Sequence, residues 1–285
     1  NAKNALATSS TAENKFAVAS AEAAKKRIEL AINRAKEDKR YAANASANTE
    51  AAIAIGYSAR ANHANTTAIG RATAAYASGS LALGRAAGVT GVNSSTSMAI
   101  GDAALISGDS AVDSIAVGHS ANIKQNSSHA IAIGASASVV GDANGSSGSI
   151  AIGHNTYAGN KNAIWPEQRN SRALGYLAAQ NATAVGTESV AGGTNSTTFG
   201  YKNVVQAPNS GALGFNNIVG NYSNAQYNNN VASANYNGTD SFVVGANNNV
   251  TANNTVVFGN NVTVNSQDKN RTGAVVLGDN STVPT

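Results

Sequence analysis

The chain has no cysteine, which excludes disulfides, thiol catalysis and cysteine-ligated metals. Only 12% of its 285 residues are charged and 5% aromatic, with three prolines and one tryptophan. Residues 51–285 carry ten basic and nine acidic groups, so no basic stripe points to nucleic acid. The excess of positive charge lies in residues 1–50, with nine Lys/Arg against six Asp/Glu. No run approaches the roughly 18 to 20 consecutive apolar residues of a membrane helix, and the opening "NAKNALATSS" lacks the apolar core of a signal peptide.

Catalytic patterns are missing too. No phosphate-binding G-x-x-x-x-G-K-[ST] occurs, no Gly-Gly-x-Gly-x-Asp calcium repeat, no Thr-x-Thr file of an ice-binding solenoid, and no recurring carboxylate pair. Asp102, Asp109, Asp142 and Asp279 read as solvated turn acids. The four histidines are His63, His119, His129 and His154. His119 and His154 share a repeat slot but lie two repeats apart, about 10 Å at 4.8 Å per strand, too far for one metal. The expectation is a non-enzyme without cofactor or metal.

What is abundant is Ala, Asn, Ser, Thr and Gly, a vocabulary of small side chains in close stacks. No Gly or Pro precedes Gly56, and residues 1–50 have Ala-rich helical composition. Beyond them runs a ladder. A large apolar residue followed by glycine recurs at Gly56, Gly70, Gly84, Gly101, Gly118, Gly134, Gly153, Gly175, Gly186, Gly200, Gly214, Gly245, Gly259 and Gly278. The residue two before the glycine is alanine in ten cases and valine in three. The fifth residue after it is apolar in every case except Gln180.

Such alternation is strand periodicity with both faces apolar. Each repeat holds two short strands joined by a turn, so about 14 residues make one coil of a narrow parallel β-solenoid. The glycine supplies the tight or left-handed corner. The coil has room inside for Ala and occasional Ile or Val. The second apolar face requires another cover, which predicts self-association.

The phrase Ser/Thr-x-Ala-Ile-Gly-x-x-Ala-x-Ala, as in "SMAIGDAALI" (97–106), "SIAVGHSANI" (114–123), "HAIAIGASASV" (129–139) and "SIAIGHNTYA" (149–158), resembles the head repeat of trimeric autotransporter adhesins, the YadA-like family. The resemblance covers roughly residues 51–283, and its recurrence makes it specific. It implies a mainly β, left-handed parallel β-roll of about fourteen coils, a homotrimer about one axis. It also implies display at the bacterial surface through a coiled-coil stalk and outer-membrane anchor lying outside this stretch.

Residues 1–50 depart from the simplest family pattern. They fit a coiled coil leading into the head, with Lys25 and Lys39 in a poor seam. They also fit a helix folded back inside the trimer. About 46 helical residues span roughly 70 Å, close to the roughly 67 Å of fourteen stacked coils.

Two stretches break the ladder and mark where a partner would dock. Residues 159–173, "GNKNAIWPEQRNSRA", carry Trp165, Glu167 and Arg169, with Trp165 also read as an anchor for its own loop. Residues 220–240, "GNYSNAQYNNNVASANYNGTD", carry Tyr222, Tyr227 and Tyr236 among Asn and Ser. The resemblance, which extends to fusobacterial CEACAM-binding members, implies as partner a CEACAM-type host receptor or a matrix protein such as collagen. The regular outer face offers the second kind of ligand a multivalent surface. The other reading is a spacer or self-association module for bacterial aggregation.

Overall fold

A computed structural model describes residues 44–124, 126–140, 145–159, 179–222, 236–265 and 272–283, together with 20, 22 and 25–28. The expected N-terminal helix is seen at 20, 22 and 25–28 and is corrected at its end, where 44–50 are turn and strand; its other residues lie outside the described ones. The ladder starts earlier than the first glycine motif, because strand Ser46–Ala47 already pairs in parallel with Arg60–Ala61.

All described strands but two belong to one parallel β-solenoid. The front sheet holds thirteen strands, from Ile53–Ile55 to Thr272–Leu277, and the back sheet fourteen, from Ser46–Ala47 to Thr282–Val283. Thirteen successive front strands enclose about 12 full turns, roughly 58 Å of stack at 4.8 Å each. The fourteen-coil expectation is therefore corrected. Front strand Ile150–Ile152 pairs directly with Thr183–Thr187, Ala151 opposite Ala184, so the ladder passes over the Gly175 repeat. Gln180, the exception to the apolar rule, sits in an exposed turn and not in a strand.

The register follows the glycines. Ala54, Ala68 and Ala82 stack in one file, and Ala61 and Ala75 in another. Backbone bonds continue around the corner, Gly70 N donating to Ile55 O at 2.7 Å and Ala72 N to Tyr57 O at 2.7 Å. The glycine itself has φ of about +130° at most sites, for example +133° at Gly118. A Cβ there would stand 2.5 Å from the carbonyl oxygen of Gly134 in the next coil. Glycine is thus demanded both by its dihedral and by the closeness of the coil above. The left-handed residue of that corner comes two positions later and is seldom glycine: Ser58, Ala72, Ser120, Asn216 and Asn247 all have φ between 53° and 57°.

At least four positions of the repeat point inward, two on each sheet. In the coil of Gly118 they are Ser114, Ala116, Ala121 and Ile123, all fully buried. The inward serine explains the Ser or Thr that opens most repeats, Ala52, Ala130, Ala182 and Ala274 being exceptions. Ser114 Oγ donates to Ser127 O at 2.9 Å and accepts from Ala130 N at 3.1 Å, satisfying a corner of the next coil. The core changes character along the stack. Its first cluster is alanine alone (Ala59, Ala61, Ala68, Ala75, Ala82, Ala87), while the last is mostly valine, including Val205, Val219, Val243 and Val257.

Candidate binding surfaces

With alanine turned inward, the residues on either side of it turn out. The outer face of the front sheet is therefore a double file of large apolar side chains. Pairs Ile53/Ile55, Thr67/Ile69, Leu81/Leu83, Met98/Ile100, Ile115/Val117, Ile131/Ile133 and Ile150/Ile152 succeed one another in register, Thr67 being their one polar member. Ile55 is 50% exposed and Phe258 49%. An apolar face running the length of the stack is far longer than the scattered apolar side chains of an ordinary monomer surface.

Further along, the stripe moves sideways. Thr183, Thr197 and Gly211 take the first outward position, while Phe199 and Leu213 hold the second. Tyr201 and Phe215, on the far side of the glycine, extend the apolar surface with ring centroids 5.3 Å apart. Lys202 Nζ lies 4.9 Å from the Tyr201 centroid and 3.7 Å from Glu188 Oε2. Its hydrogen bond to Tyr201, with Glu188 adding a smaller effect, raises the Lys202 pKa above the usual 10.5.

The two edges of the roll differ. From each motif glycine to the end of the following back strand the spacing is constant, as in Gly56 to Arg60–Ala61 and Gly259 to Thr263–Val264. The opposite edge absorbs every change in repeat length. Extra left-handed residues appear there at Asn93, Ser110 and Asn126, and both long insertions leave from it.

Gly159 still belongs to the ladder, its N–H donating to Ala191 O at 2.8 Å, and residues 160–178 follow. Gly220 N donates likewise to Val250 O at 2.8 Å before the second insertion. Back strands Tyr157–Ala158 and Ile218–Val219 are three rungs apart, so the two departure points lie about 14 Å from each other on one edge. Trp165, Glu167, Arg169 and Tyr227 fall outside the described residues. Tyr222 and Tyr236 are brought together: strands Asn221–Tyr222 and Tyr236–Asn237 form an antiparallel pair with these two residues opposite one another.

Gly56, Gly70, Gly84, Gly101, Gly118, Gly134 and Gly153 all occupy the constant corner. The histidines are on the surface: His119 Nε2 is 3.8 Å from Asp102 Oδ2, and His129 Nε2 is 3.7 Å from Asp113 Oδ2. No group of three His, Asp or Glu residues converges among the described residues. Nor is any described helix long and apolar enough to cross a membrane.

The turn acids and amides do more than face solvent. Asp109 Oδ1 accepts from Val92 N at 2.9 Å, and Asp279 Oδ1 from Asn260 N at 2.7 Å, so these carboxylates tie one coil to the preceding one. Asp102 Oδ2 accepts from Arg85 at 2.6 Å; Asp142 lies outside the described residues. At the left-handed corners, Asn181, Asn195, Asn209 and Asp240 form a hydrogen-bonded external ladder. The recurrence of Asn five before the glycine was the available signal, because Asn tolerates that backbone conformation. Compared with family models and with curated proteins, the sequence matches none.

Proposed function

We propose that this chain is the head of a trimeric bacterial surface adhesin, a non-enzymatic attachment module of the YadA-like kind. The observation that carries the reading is the unbroken file of large apolar residues just before the motif glycine, from Ile55 to Leu277, on the outer face of the front sheet. A face of that length is covered most economically by other copies of the same chain, each presenting the same files in the same register. The finer features follow from the family resemblance: three copies, a left-handed coil, and the N-terminal helix either inside the trimer or coaxial with it. So does anchorage in an outer membrane by a region outside this stretch.

Attachment would fall to the edge of variable repeat length. Two insertions rich in Tyr, Trp, Arg and Asn depart there about 14 Å apart, a spacing that suits one protein domain of a CEACAM-type receptor. A fibrous matrix protein such as collagen would use the repeated outer surface instead. The spacer or self-association reading draws on the same apolar face but gives the insertions no role.

The test is light scattering coupled to size exclusion, followed by co-elution with host receptor ectodomains and matrix proteins. A mass three times that of the chain, with a partner lost on replacing Tyr222, Tyr227 and Tyr236 by Ser, supports the reading. A monodisperse single chain refutes the trimer. Trimers that bind no host protein yet aggregate cells favour the spacer.

A further inference from the structure

We infer that the N-terminal part of the variable edge carries a separate site for a neutral sugar, a hexose or N-acetylhexosamine, in the notch between Tyr76 and Val92. The notch arises where the repeat lengthens from 14 to 17 residues after Gly84. The added residues swing outward as a ledge through the left-handed Asn93. That ledge is fastened to the coil above, because Val92 N donates to Asp109 Oδ1 at 2.9 Å and Ser94 Oγ to Gly108 O at 2.6 Å. The two narrower coils before it cannot fill the space beneath the ledge. A concave surface remains, lined by Asn62, His63, Tyr76, Thr90, Val92 and Asn93.

The lining selects the ligand class. Tyr76 offers an aromatic surface and Val92, 65% exposed, a branched aliphatic one; together they suit the C–H face of a pyranose ring. Around them stand two amides, an imidazole and three hydroxyls, the donors and acceptors that ring hydroxyls require. Asn62 Oδ1 is shut off from solvent and accepts no hydrogen bond, so its amide gains by turning toward a ligand hydroxyl. The phenol of Tyr76 is held in place by Arg60 Nη1 at 3.4 Å.

No Lys, Arg, Asp or Glu side chain lines the notch itself, the Arg60 guanidinium standing beside it against the Tyr76 phenol, so the lining favours neutral sugars over acidic ones and phosphates. A peptide adding as a strand is disfavoured as well: the local N–H groups are engaged, Asn62 N with Ala75 O and Tyr76 N with Val89 O.

The test is saturation-transfer NMR on the whole chain. The probes are the methyl glycosides of glucose, galactose and mannose and of N-acetylglucosamine, with N-acetylneuraminic acid as the acidic comparison. At least one neutral glycoside is expected to bind saturably, in the millimolar range. Val92→Arg and Tyr76→Ala should each weaken it by roughly tenfold or more, with Phe215→Ser leaving it unchanged. Should Tyr76→Ala fail to fold, Val92→Arg at its exposed position decides alone. Absence of saturable binding by all four neutral sugars, indifference to Val92→Arg, or a preference for N-acetylneuraminic acid overturns the inference. Deleting residues 160–178 and 223–235 separates it from the host-protein reading, since sugar binding should survive that deletion whether or not a protein partner is lost.

Discussion

Asn217 donates from its side-chain amide to Asn203 Oδ1 at 3.0 Å inside the roll, and the same acceptor takes the Asn217 backbone N–H at 3.0 Å. The pattern repeats one coil on, where Asn248 N and Nδ2 reach Asn217 Oδ1 at 3.1 and 2.8 Å. The second N–H of each amide goes to a motif-glycine carbonyl, Gly214 O for Asn203 and Gly245 O for Asn217, both at 2.8 Å. Three fully or almost fully buried amides thus satisfy the interior of the constant corner where earlier coils use Ala, Thr or Ser.

Replacing Asn217 by Ala removes the middle of this ladder. Asn248 N and Gly245 O lose their side-chain partner in a site closed to water, at about 1 to 3 kcal/mol for each stranded group that cannot find another, while Asn203 Oδ1 keeps the backbone N–H of residue 217. The expected loss is on the order of 3 kcal/mol in denaturant unfolding. A change below about 1 kcal/mol would mean that the corner relaxes or admits water.

Gly118→Ala should be among the most damaging single-methyl additions. It forces an L side chain to φ +133° and drives Cβ against the Gly134 carbonyl. Gly273, at φ +92° with nothing within 4 Å of its would-be Cβ, carries only the dihedral cost, about 1 to 3 kcal/mol. Thermal unfolding of the two variants should rank Gly118→Ala well below Gly273→Ala.

Ile133→Asp and Ile152→Asp place charges on the outer apolar face without touching the core. Each side chain is a little over one-third exposed in the single chain, so the coil should persist by circular dichroism. If copies pack on this face, light scattering should show the double variant at single-chain mass, because an unpaired carboxylate is costly in an apolar interface. An unchanged assembly would move the interface elsewhere.

Lys202 gives a pH prediction of definite sign. Its pKa is raised in the folded chain, so its contribution is fully present below the unfolded value near 10.4 and disappears as pH climbs through the folded value. Lys202→Met should therefore leave acid and neutral stability almost unchanged and remove only a small component of the alkaline decline, because the group is open to solvent. A marked shift of the acid limb would contradict this assignment.

Much of the fold was legible in the spacing of the glycines, because a solenoid repeats its physical demands at every coil. The corner needs a residue without Cβ, the interior beside it takes mostly alanine, and Ser or Thr closes the turn in most coils. Gln180 already marked the Gly175 repeat as irregular, and the register of Ala151 on Ala184 removes it. The external amide ladders are not legible residue by residue, because each Asn, taken alone, is an ordinary turn residue, and only stacking at strand spacing lets Asn181 reach Asn195 at 3.2 Å.

By itself the sequence determined the unit: a short Ala-centred strand, a glycine corner and a second strand, repeated along the chain. Only the tertiary structure decided which apolar face turns in. A period-two pattern is symmetric between its faces, and close approach of the two sheets admits alanine at 54, 68 and 82 while leaving Ile55, Ile69 and Leu83 outside. It likewise decided that every insertion leaves from one edge. The glycine corner has no slack, its backbones stacked carbonyl on Cα, so added residues are accommodated only where the coil turns back on the other side.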